Sequence, residues 1–426
     1  MDRLTEVSGR LHGNFRGEGV GPLSGRFSAK AEAGRIVLLD EVHCEICRFP
    51  FIRLTADKDS TFSLFNVTIG SRFHWERTED QIFEGDLFLQ LCEDGTVVAI
   101  NEIPLEDYLK SVISSEMSAA APIEFLKAHA IVSRSWLMAA LDRKKEGKDT
   151  SKVAEQFIGK QEEVKRWYDR EEHDLFDVCS DDHCQRYQGI TKILSKQVKE
   201  AVQETTGIVI TYKNEICDAR YSKACGGLTE NFNTAWNNRQ VPYLGSISDT
   251  PVPHQSIGTE EEASAWILSE PQAYCNTKDE ALLEKILPDV DRETKAFFRW
   301  RVEYSREELE EILREKSGLD FGTLQKIVPL QRGPSGRISR LEIVGTRRSI
   351  VVGKELEIRR WLSRSHLYSS AFVVIVEGDR YIFHGAGWGH GVGLCQIGAA
   401  VMASRGFPAE EILKHYFRGV EIKKIY

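Results

Sequence analysis

The stretch PLEDYLKSVISSEM, residues 104–117, decides how this chain is organised. Proline suits the first position of a helix, and the two acidic residues that follow Leu105 complement the positive end of the helix dipole. Glu116 lies at the next position of the buried stripe, where an apolar residue is expected. The pattern therefore predicts a carboxyl group that points into the protein at the C-terminal end of a helix. The apolar side chains that define the stripe recur at helical spacing: Leu105, Tyr108, Leu109, Val112 and Ile113.

Glu116 in such a position has the properties of a general acid. Burial and the negative end of the helix dipole both disfavour the ionised carboxylate. A carboxylic acid that stays protonated near neutral pH can donate its proton to a leaving group. The alternatives are a glutamate in solvent beside the break at Pro122, or one that is paired structurally with a lysine or an arginine. The helix pattern alone does not distinguish a general acid from these two alternatives.

A second helix is predicted directly after Pro122, from Ile123 to about Lys144, in IEFLKAHAIVSRSWLMAALDRKK. Lys127 and Arg134 are seven residues apart and therefore share one face of it. Both cations could point toward the acid or toward its ligand. In the first case they would favour the ionised carboxylate and oppose the effect of burial.

Two further motifs lie far downstream, YSKACGGLTEN at residues 221–231 and GAGWGHGVGLCQIGAAVMA at residues 385–403. Together with the predicted helix pair, they resemble the three signatures of the stage II sporulation protein D family, the SpoIID/LytB domain. The resemblance covers about residues 85–426 and implies a lytic transglycosylase that cleaves the glycan strands of bacterial peptidoglycan. It places Glu116 at the catalytic acid position. It also implies supporting roles at the site for Lys127, Arg134, Tyr221 and Lys223.

The family also includes enhancers of N-acetylmuramoyl-L-alanine amidases. A protein that binds the cell wall or an amidase without catalysis is therefore the alternative to a transglycosylase. A zinc-dependent hydrolase is a third and weaker option.

The expected chemistry uses one carboxyl group. Glu106 precedes Glu116 by ten residues, which is about 15 Å along a helix. Ordinary glycosidases place their two carboxyl groups about 5 to 9.5 Å apart, so Glu106 is not the partner. Glu116 would protonate the glycosidic oxygen between MurNAc and GlcNAc. It would then take the proton from the muramoyl C6 hydroxyl as that oxygen closes on C1, which leaves a 1,6-anhydro sugar.

The segment HDLFDVCSDDHC, residues 173–184, contains four candidate metal ligands: His173, Cys179, His183 and Cys184. Two thiolates and two imidazoles suit a tetrahedral zinc ion. Asp181 or Asp182 could compete as a ligand, and the alternative is an exposed loop with two free thiols. Some members of the family that the chain resembles bind a structural zinc through a similar cluster. Four protein ligands leave no open position on the metal, so the zinc would brace the loop.

The two downstream motifs supply candidate sugar-binding residues. Tyr221 and Lys223 are two residues apart on a predicted strand and should face one side, where they could hold sugar hydroxyls. Trp388 offers a flat face for stacking on a sugar ring, and His384 and His390 add hydrogen-bonding groups. The alternatives are a solvated strand face and a tight structural loop. The alternating glycines of the second motif match neither GxxxxGK[ST] nor GxGxxG, which argues against nucleotide binding.

Composition narrows the class of protein. The chain has 426 residues and a formal net charge of −9, which argues against binding to nucleic acid. No apolar run reaches the eighteen residues of a membrane span, and the first ten residues lack the apolar core of a signal peptide. As written, the chain is typical of a cytoplasmic protein, whereas a peptidoglycan substrate implies the cell envelope or the outer face of the membrane. The nine cysteines do not form a disulfide-framework pattern. The CxxC of Cys44 and Cys47 is interpreted as buried or incidental thiols, with a redox or metal site as the alternative.

These patterns predict the α+β class, with a β-rich core on which the catalytic helix pair packs. Hairpins are expected at Asp94-Gly95 and at Lys213-Asn214. We expect a β-rich N-terminal region at residues 1–84, and the first part of a SpoIID-like core, with the metal-binding loop, at residues 85–258. A helical insertion at residues 259–326 and the second part of the core, with the GWGHGVG loop, at residues 327–426 complete the predicted organisation.

Overall fold

The computed structural model describes residues 4–17, 19–70, 76–145, 163–168, 173–181, 183–193, 195–292, 294 and 296–426. It confirms the α+β class. The chain forms two compact units, the first made of Met1–Ala120 with Glu172–Glu204 and the second of Ala121–Glu171 with Thr205–Tyr426. The division after Ala120 falls between the two helices of the opening motif.

The first unit is built on an antiparallel sheet in the order β4-β3-β2-β1-β5-β8-β9, with β6 paired to both β1 and β7. The described residues before Gly85 are therefore rich in strands, and the domain bounds 1–84 stay a prediction. The hairpin predicted at Asp94-Gly95 joins β8 to β9, and Gly95 has the positive φ of 77° that a tight turn needs. The strands are β1 Glu6–Gly17, β2 Val20–Glu32, β3 Arg35–Asp40, β4 Glu45–Phe49, β5 Phe51–Ala56, β6 Thr61–Ile69, β7 Arg77–Glu84, β8 Asp86–Leu91 and β9 Val97–Glu102.

The opening motif forms helices α1 Leu105–Glu116 and α2 Ile123–Lys145, and helix α3 Lys196–Glu204 follows later in the chain. Pro104 takes the N-cap position of α1, so only Ile103 and Pro104 separate this helix from β9. Both predicted helices of the motif are confirmed. Helices α1 and α3 pack together in the first unit, and α2 belongs to the second.

The second unit contains several small sheets, with strand orders β10-β17-β16-β15, β12-β11-β21, β13-β20 and β14-β19-β18. The predicted hairpin at Lys213-Asn214 is confirmed, since both residues have positive φ between β11 and β12. The strands are β10 Glu163–Lys165, β11 Ile208–Tyr212, β12 Glu215–Ile216, β13 Tyr221–Ser222, β14 Arg299–Ser305, β15 Leu324–Arg332, β16 Ile338–Gly345, β17 Ser349–Gly353, β18 Phe372–Glu377, β19 Arg380–Ala386, β20 Leu394–Cys395 and β21 Glu421–Lys424. The helices are α4 Phe232–Ala235, α5 Glu260–Leu268, α6 Glu280–Ile286, α7 Asp289–Arg292, α8 Arg306–Ser317, α9 Glu355–Trp361, α10 Gln396–Ser404 and α11 Ala409–Tyr416.

The described part of residues 259–326 contains helices α5 to α8, and it also contains strand β14, which helical periodicity does not predict. Strand β14 pairs with β19 in antiparallel register from Arg299 opposite Ala386 to Ser305 opposite Arg380. Its partner lies about eighty residues further along the chain, so local pattern alone could not reveal the pairing. Trp300 of β14 is buried in the same apolar cluster as Leu309 of α8.

Candidate functional site

Glu116 is the last residue of α1, and only 8% of its surface is exposed. It shares the buried side of the helix with Tyr108, Val112 and Ile113. The predicted interior position of this carboxyl group is confirmed.

The segment 185–188 holds the same side of α1 through three hydrogen bonds. The backbone N–H of Arg186 donates to Glu116 Oε1 at 3.0 Å. The hydroxyl of Tyr108 donates to Gln185 Oε1 at 3.1 Å, and the backbone N–H of Gln188 donates to Ser111 Oγ at 3.1 Å. The carboxyl group of Glu116 is therefore oriented by a backbone that is itself tied to the helix at two other points.

The four residues of the predicted His/Cys cluster do come together. Their ligand atoms all lie within 4.8 Å of one another. His173 Nε2 and His183 Nδ1 are each 3.4 Å from Cys184 Sγ, and His183 Nδ1 is 3.8 Å from Cys179 Sγ. Zinc bonds of about 2.1 Å to nitrogen and about 2.3 Å to sulfur, at tetrahedral angles, place such atoms about 3.6 Å apart. The donor set and its spacing therefore fit a tetrahedral zinc ion.

The electrostatics of this cluster favour a thiolate. Hydrogen bonding from Cys184, then from His173 and His183, lowers the pKa of the Cys179 thiol to about 2. The deprotonated form is the one that binds a metal. Of the two competing aspartates, Asp181 offers its backbone carbonyl to Cys179 Sγ at 3.8 Å. Asp182 lies outside the described residues.

Lys127 and Arg134, the two cations of α2, make contacts within the second unit. Lys127 Nζ pairs with Glu124 Oε1 at 2.8 Å, and the other oxygen of Glu124 accepts the backbone N–H of Ala409 at 2.8 Å. Arg134 is fully buried, and its Nη1 donates to the carbonyl of Ile208 at 3.0 Å, at the start of β11. Arg134 therefore joins α2 to the sheet, and its role toward the acid stays a prediction.

Tyr221 lies in the short strand β13, which pairs in parallel with β20. Its ring packs edge-on against the ring of His129, with centroids 4.9 Å apart. His129 is fully buried, stacks on Phe125, and lies 3.3 Å from the side-chain amide of Gln396. Neither His129 nor Gln396 was predicted from the sequence, because a histidine on the apolar face of a helix and a glutamine beside a cysteine carry no distinctive pattern.

Lys223 lies just beyond the end of β13 and is buried with only 8% of its surface exposed. Its Nζ pairs with Asp291 Oδ2 at 2.7 Å, and Asp291 is also buried. Asp291 comes from α7, in the segment predicted as a helical insertion. The ion pair with Asp291 holds the ammonium group of Lys223 in one position inside the protein. Lys223 therefore does not belong to a solvated strand face.

The glycine-rich loop at residues 387–393 winds around Arg337, a fully buried residue that the sequence analysis missed. The guanidinium of Arg337 donates to the carbonyls of Gly389 and Cys225, each at 3.1 Å. A Cβ on Gly391 would lie 2.3 Å from Arg337 Cζ. The loop therefore contains glycine at this position because an arginine fills the space that a side chain would need.

Trp388 and His390 lie within this loop and are both partly exposed. The indole of Trp388 packs at a tilt against Phe297 and Tyr368, with centroids 4.9 and 4.3 Å away. His390 packs against Trp236, and its Nδ1 accepts the backbone N–H of Val392 at 3.0 Å. Burial, with the nearby cation Arg220, holds the pKa of His390 well below its usual value, so this imidazole is neutral near pH 7.

All nine cysteines lie in the described residues, and each is a free thiol there. In the described part of the chain, none of the helices has both the length and the apolar character of a membrane span.

The fold and the motifs define an α+β protein with a buried glutamate at a helix end, and the comparisons with known proteins agree with the family that the motifs indicate. Residues 93–212 match the family of the stage II sporulation protein, SpoIID, and residues 230–393 match a domain of unknown function, DUF8618. Residues 93–212 are therefore similar to this family, and the resemblance that the motifs indicate is confirmed.

The similarity to known proteins extends beyond residues 93–212. Stage II sporulation protein D of Bacillus amyloliquefaciens is 24% identical over 334 residues, and that of Bacillus subtilis is 25% identical over 333 residues, with 76% of each chain covered in both cases. An amidase enhancer of Bacillus subtilis is 25% identical over 247 residues, which cover 54% of this chain and 33% of the enhancer.

Proposed function

We propose that this protein is a peptidoglycan lytic transglycosylase with Glu116 as its acid and base. The observation that carries the proposal is the burial of Glu116 on the apolar side of α1, with Oε1 held by the N–H of Arg186. A buried carboxyl group costs stability relative to an apolar residue at the same position. Such a local conflict between sequence and fold is typical of a functional site.

The reaction needs one group that gives and then takes a proton. Protonated Glu116 donates to the glycosidic oxygen between MurNAc and GlcNAc, and the C1–O bond breaks. The resulting carboxylate takes the proton of the muramoyl C6 hydroxyl while that oxygen bonds to C1. The product ends in 1,6-anhydroMurNAc, no water is consumed, and Glu116 returns to its starting form. Positioned acid–base catalysis of this kind contributes about 10²- to 10⁴-fold to the rate.

The remaining site residues are assigned through the resemblance and through their own surroundings. Tyr221 and Lys223 would hold sugar hydroxyls or the charge that develops at the scissile oxygen, and the pairing of Lys223 with Asp291 fixes that cation in place. Trp388 and His390, both partly exposed, would contact sugar rings. Lys127 and Arg134 would support the site by holding α2 in position.

We also propose a structural zinc ion bound by His173, Cys179, His183 and Cys184. Cys184 precedes Arg186 by two residues, and Arg186 donates to Glu116. Fixing the cysteine would therefore fix the backbone that orients the acid. Four protein ligands leave the ion no open position, so it would brace the segment.

A wall-binding enhancer of an N-acetylmuramoyl-L-alanine amidase is the second candidate, and the match to a protein named amidase enhancer favours it. In either case the protein would act on or at the cell wall, and its partners would be glycan strands or an amidase. A peptidoglycan substrate places the site of action in the cell envelope.

The test is to incubate purified peptidoglycan sacculi with the chain and to analyse the released muropeptides by mass spectrometry. Strands with intact and with removed stem peptides should both be tried. Anhydro ends are expected from a transglycosylase, and reducing ends would indicate a hydrolase. If the chain alone releases no muropeptides but speeds cleavage by an added amidase, the result would support the enhancer and contradict our proposal.

A further inference from the structure

Four side chains from separate segments of the second unit meet in its interior: Cys225, Asp249, Cys275 and Cys395. Their exposed fractions are 2%, 0%, 3% and 0%, and one ligand atom of each lies within 4.8 Å of all the others. Cys225 and Cys395 belong to the two downstream motifs, whereas Asp249 and Cys275 lie in connecting segments with no recognisable pattern. The proposed reaction uses none of the four.

We propose that this cluster is a second metal site, which binds a tetrahedral zinc ion through three thiolates and one carboxylate. The spacing of the sulfur atoms supports it. Zinc–sulfur bonds of about 2.3 Å at tetrahedral angles place two sulfur ligands about 3.8 Å apart. Cys225 Sγ and Cys275 Sγ are 3.7 Å apart. A disulfide would need about 2.05 Å.

Backbone N–H groups point at the sulfur atoms, as they do around metal-bound thiolates. The N–H of Cys225 donates to Cys395 Sγ at 3.2 Å. The N–H of Gly227 donates to Cys225 Sγ at 3.4 Å. Such donors stabilise negative charge on sulfur, which a neutral thiol in an apolar core does not need.

The carboxylate of Asp249 is oriented by two partners. Its Oδ1 accepts the hydroxyl of Tyr416 at 2.6 Å, and its Oδ2 accepts the backbone N–H of Cys275 at 2.8 Å. Each carboxylate oxygen has two lone pairs, so one hydrogen bond apiece leaves room for a bond to a metal. A Cβ on Gly398 would come within 2.4 Å of both Asp249 Oδ1 and the Tyr416 hydroxyl, so the glycine lets α10 approach this pair.

The chemical types of the four side chains favour one kind of metal ion. Buried cysteines alone are ordinary core residues. The fully buried carboxyl group makes this cluster different, because one oxygen and three sulfur atoms lie within 4.8 Å of one another, as the ligands of a four-coordinate metal do. Thiolate ligands favour zinc over magnesium or calcium. Four protein ligands leave no open position, so the ion would be structural.

The site would add a cross-link between segments that also meet through the short pairing of β13 with β20. Cys225 lies two residues after Lys223, and Cys395 ends β20, the two-residue partner of β13. A zinc bound here would hold β13, β20 and the start of α10 together. It would thereby help to hold Tyr221 and Lys223 in position.

The decisive measurement is made on the unmodified full chain, purified in reductant without added metal. Zinc is measured by plasma mass spectrometry, and its ligands by X-ray absorption. We expect about two zinc ions per chain and an average of about 2.5 sulfur ligands per zinc, since one site offers two sulfurs and the other three. About one zinc with an average of 2.0 sulfurs would overturn the proposal, as would a Cys225–Cys275 disulfide found by peptide mapping.

Two variants separate the sites. The double variant Cys179→Ser/Cys184→Ser should keep about one zinc, now with three sulfur ligands, and Cys275→Ser should also keep about one, with two. Cys217→Ser is the matched control, because Cys217 is a buried thiol of the same unit outside the cluster, and it should keep both ions. Unchanged zinc content in a folded Cys275→Ser protein would contradict the assignment. If the Cys275→Ser protein does not fold, the average number of sulfur ligands per zinc in the unmodified chain decides between one site and two.

Discussion

The backbone N–H of Arg186 donates a 3.0 Å hydrogen bond to Glu116 Oε1, and Arg186 follows Cys184 of the His/Cys cluster by only two residues. Two features that the sequence shows separately, a carboxyl group on an apolar stripe and a cluster of metal-binding side chains, are therefore parts of one arrangement. The short segment that contributes Cys184 to the cluster also holds the acid through Arg186.

Replacing Glu116 with glutamine should abolish release of anhydro-muropeptides, with a loss of about 10²- to 10⁴-fold. Glutamine keeps an oxygen that can accept the N–H of Arg186, so the fold and the zinc content should not change. The measurement is mass spectrometry of muropeptides from digested sacculi. Glu93→Gln is the control, because Glu93 is an exposed residue of the β8–β9 turn, and full activity is expected. Undiminished anhydro product from Glu116→Gln would rule out this residue as the acid.

Replacing Cys184 with serine should remove about one zinc ion per chain and lower transglycosylase activity, although Glu116 itself is unchanged. The physical reason is that the segment holding Glu116 Oε1 loses its brace. Zinc analysis and the muropeptide assay measure the two effects on the same preparation. Cys92→Ser, a partly buried thiol in the same unit but outside the cluster, should change neither. A zinc-free Cys184→Ser protein with full activity would show that the metal does not position the acid.

Replacing Gly391 with alanine should destabilise the second unit strongly. The positive φ of 72° costs about 1–2 kcal/mol for a residue with a Cβ. The new methyl would also lie 2.3 Å from Arg337 Cζ, and such overpacking adds about 1–3 kcal/mol. Gly378→Ala separates the two effects, because Gly378 has a φ of 60° and nothing within 4 Å of its Cβ position. Urea denaturation should show a clearly larger loss for Gly391→Ala, and equal losses would mean that Arg337 moves aside freely.

The stability of the second unit should depend on pH through His390, whose pKa is lowered by burial and by the nearby cation Arg220. A histidine that stays neutral in the folded protein binds a proton more readily when unfolded. Its contribution to stability is therefore complete above the ordinary value of about 6.5 and is lost as the pH falls below it. His390→Asn keeps an acceptor for the N–H of Val392 but cannot titrate.

The free energy of unfolding, from urea denaturation at pH 7.5 and pH 5.5, should therefore fall less in His390→Asn than in the unmodified chain. An equal fall in the two proteins would refute the assignment to His390.

Local sequence determined the elements whose contacts are short in range. The helical repeat of α1 placed Glu116 inside, and the turns at Asp94-Gly95 and Lys213-Asn214 placed both hairpins. The His/Cys cluster was visible because its four ligands lie within twelve residues of one another. In each case the energetic preference resides in a few consecutive residues, through backbone propensity or side-chain periodicity.

Only the tertiary structure decided the contacts that join distant segments. Strand β14 forms because β19 offers it hydrogen-bonding partners, and Lys223 is fixed by Asp291, sixty-eight residues away. Arg337 contacts the glycine loop from the turn between β15 and β16, and the cluster of Cys225 and Cys395 spans one hundred and seventy residues. No single segment carries a preference for these arrangements, because each gains its free energy only when a second segment is already in place.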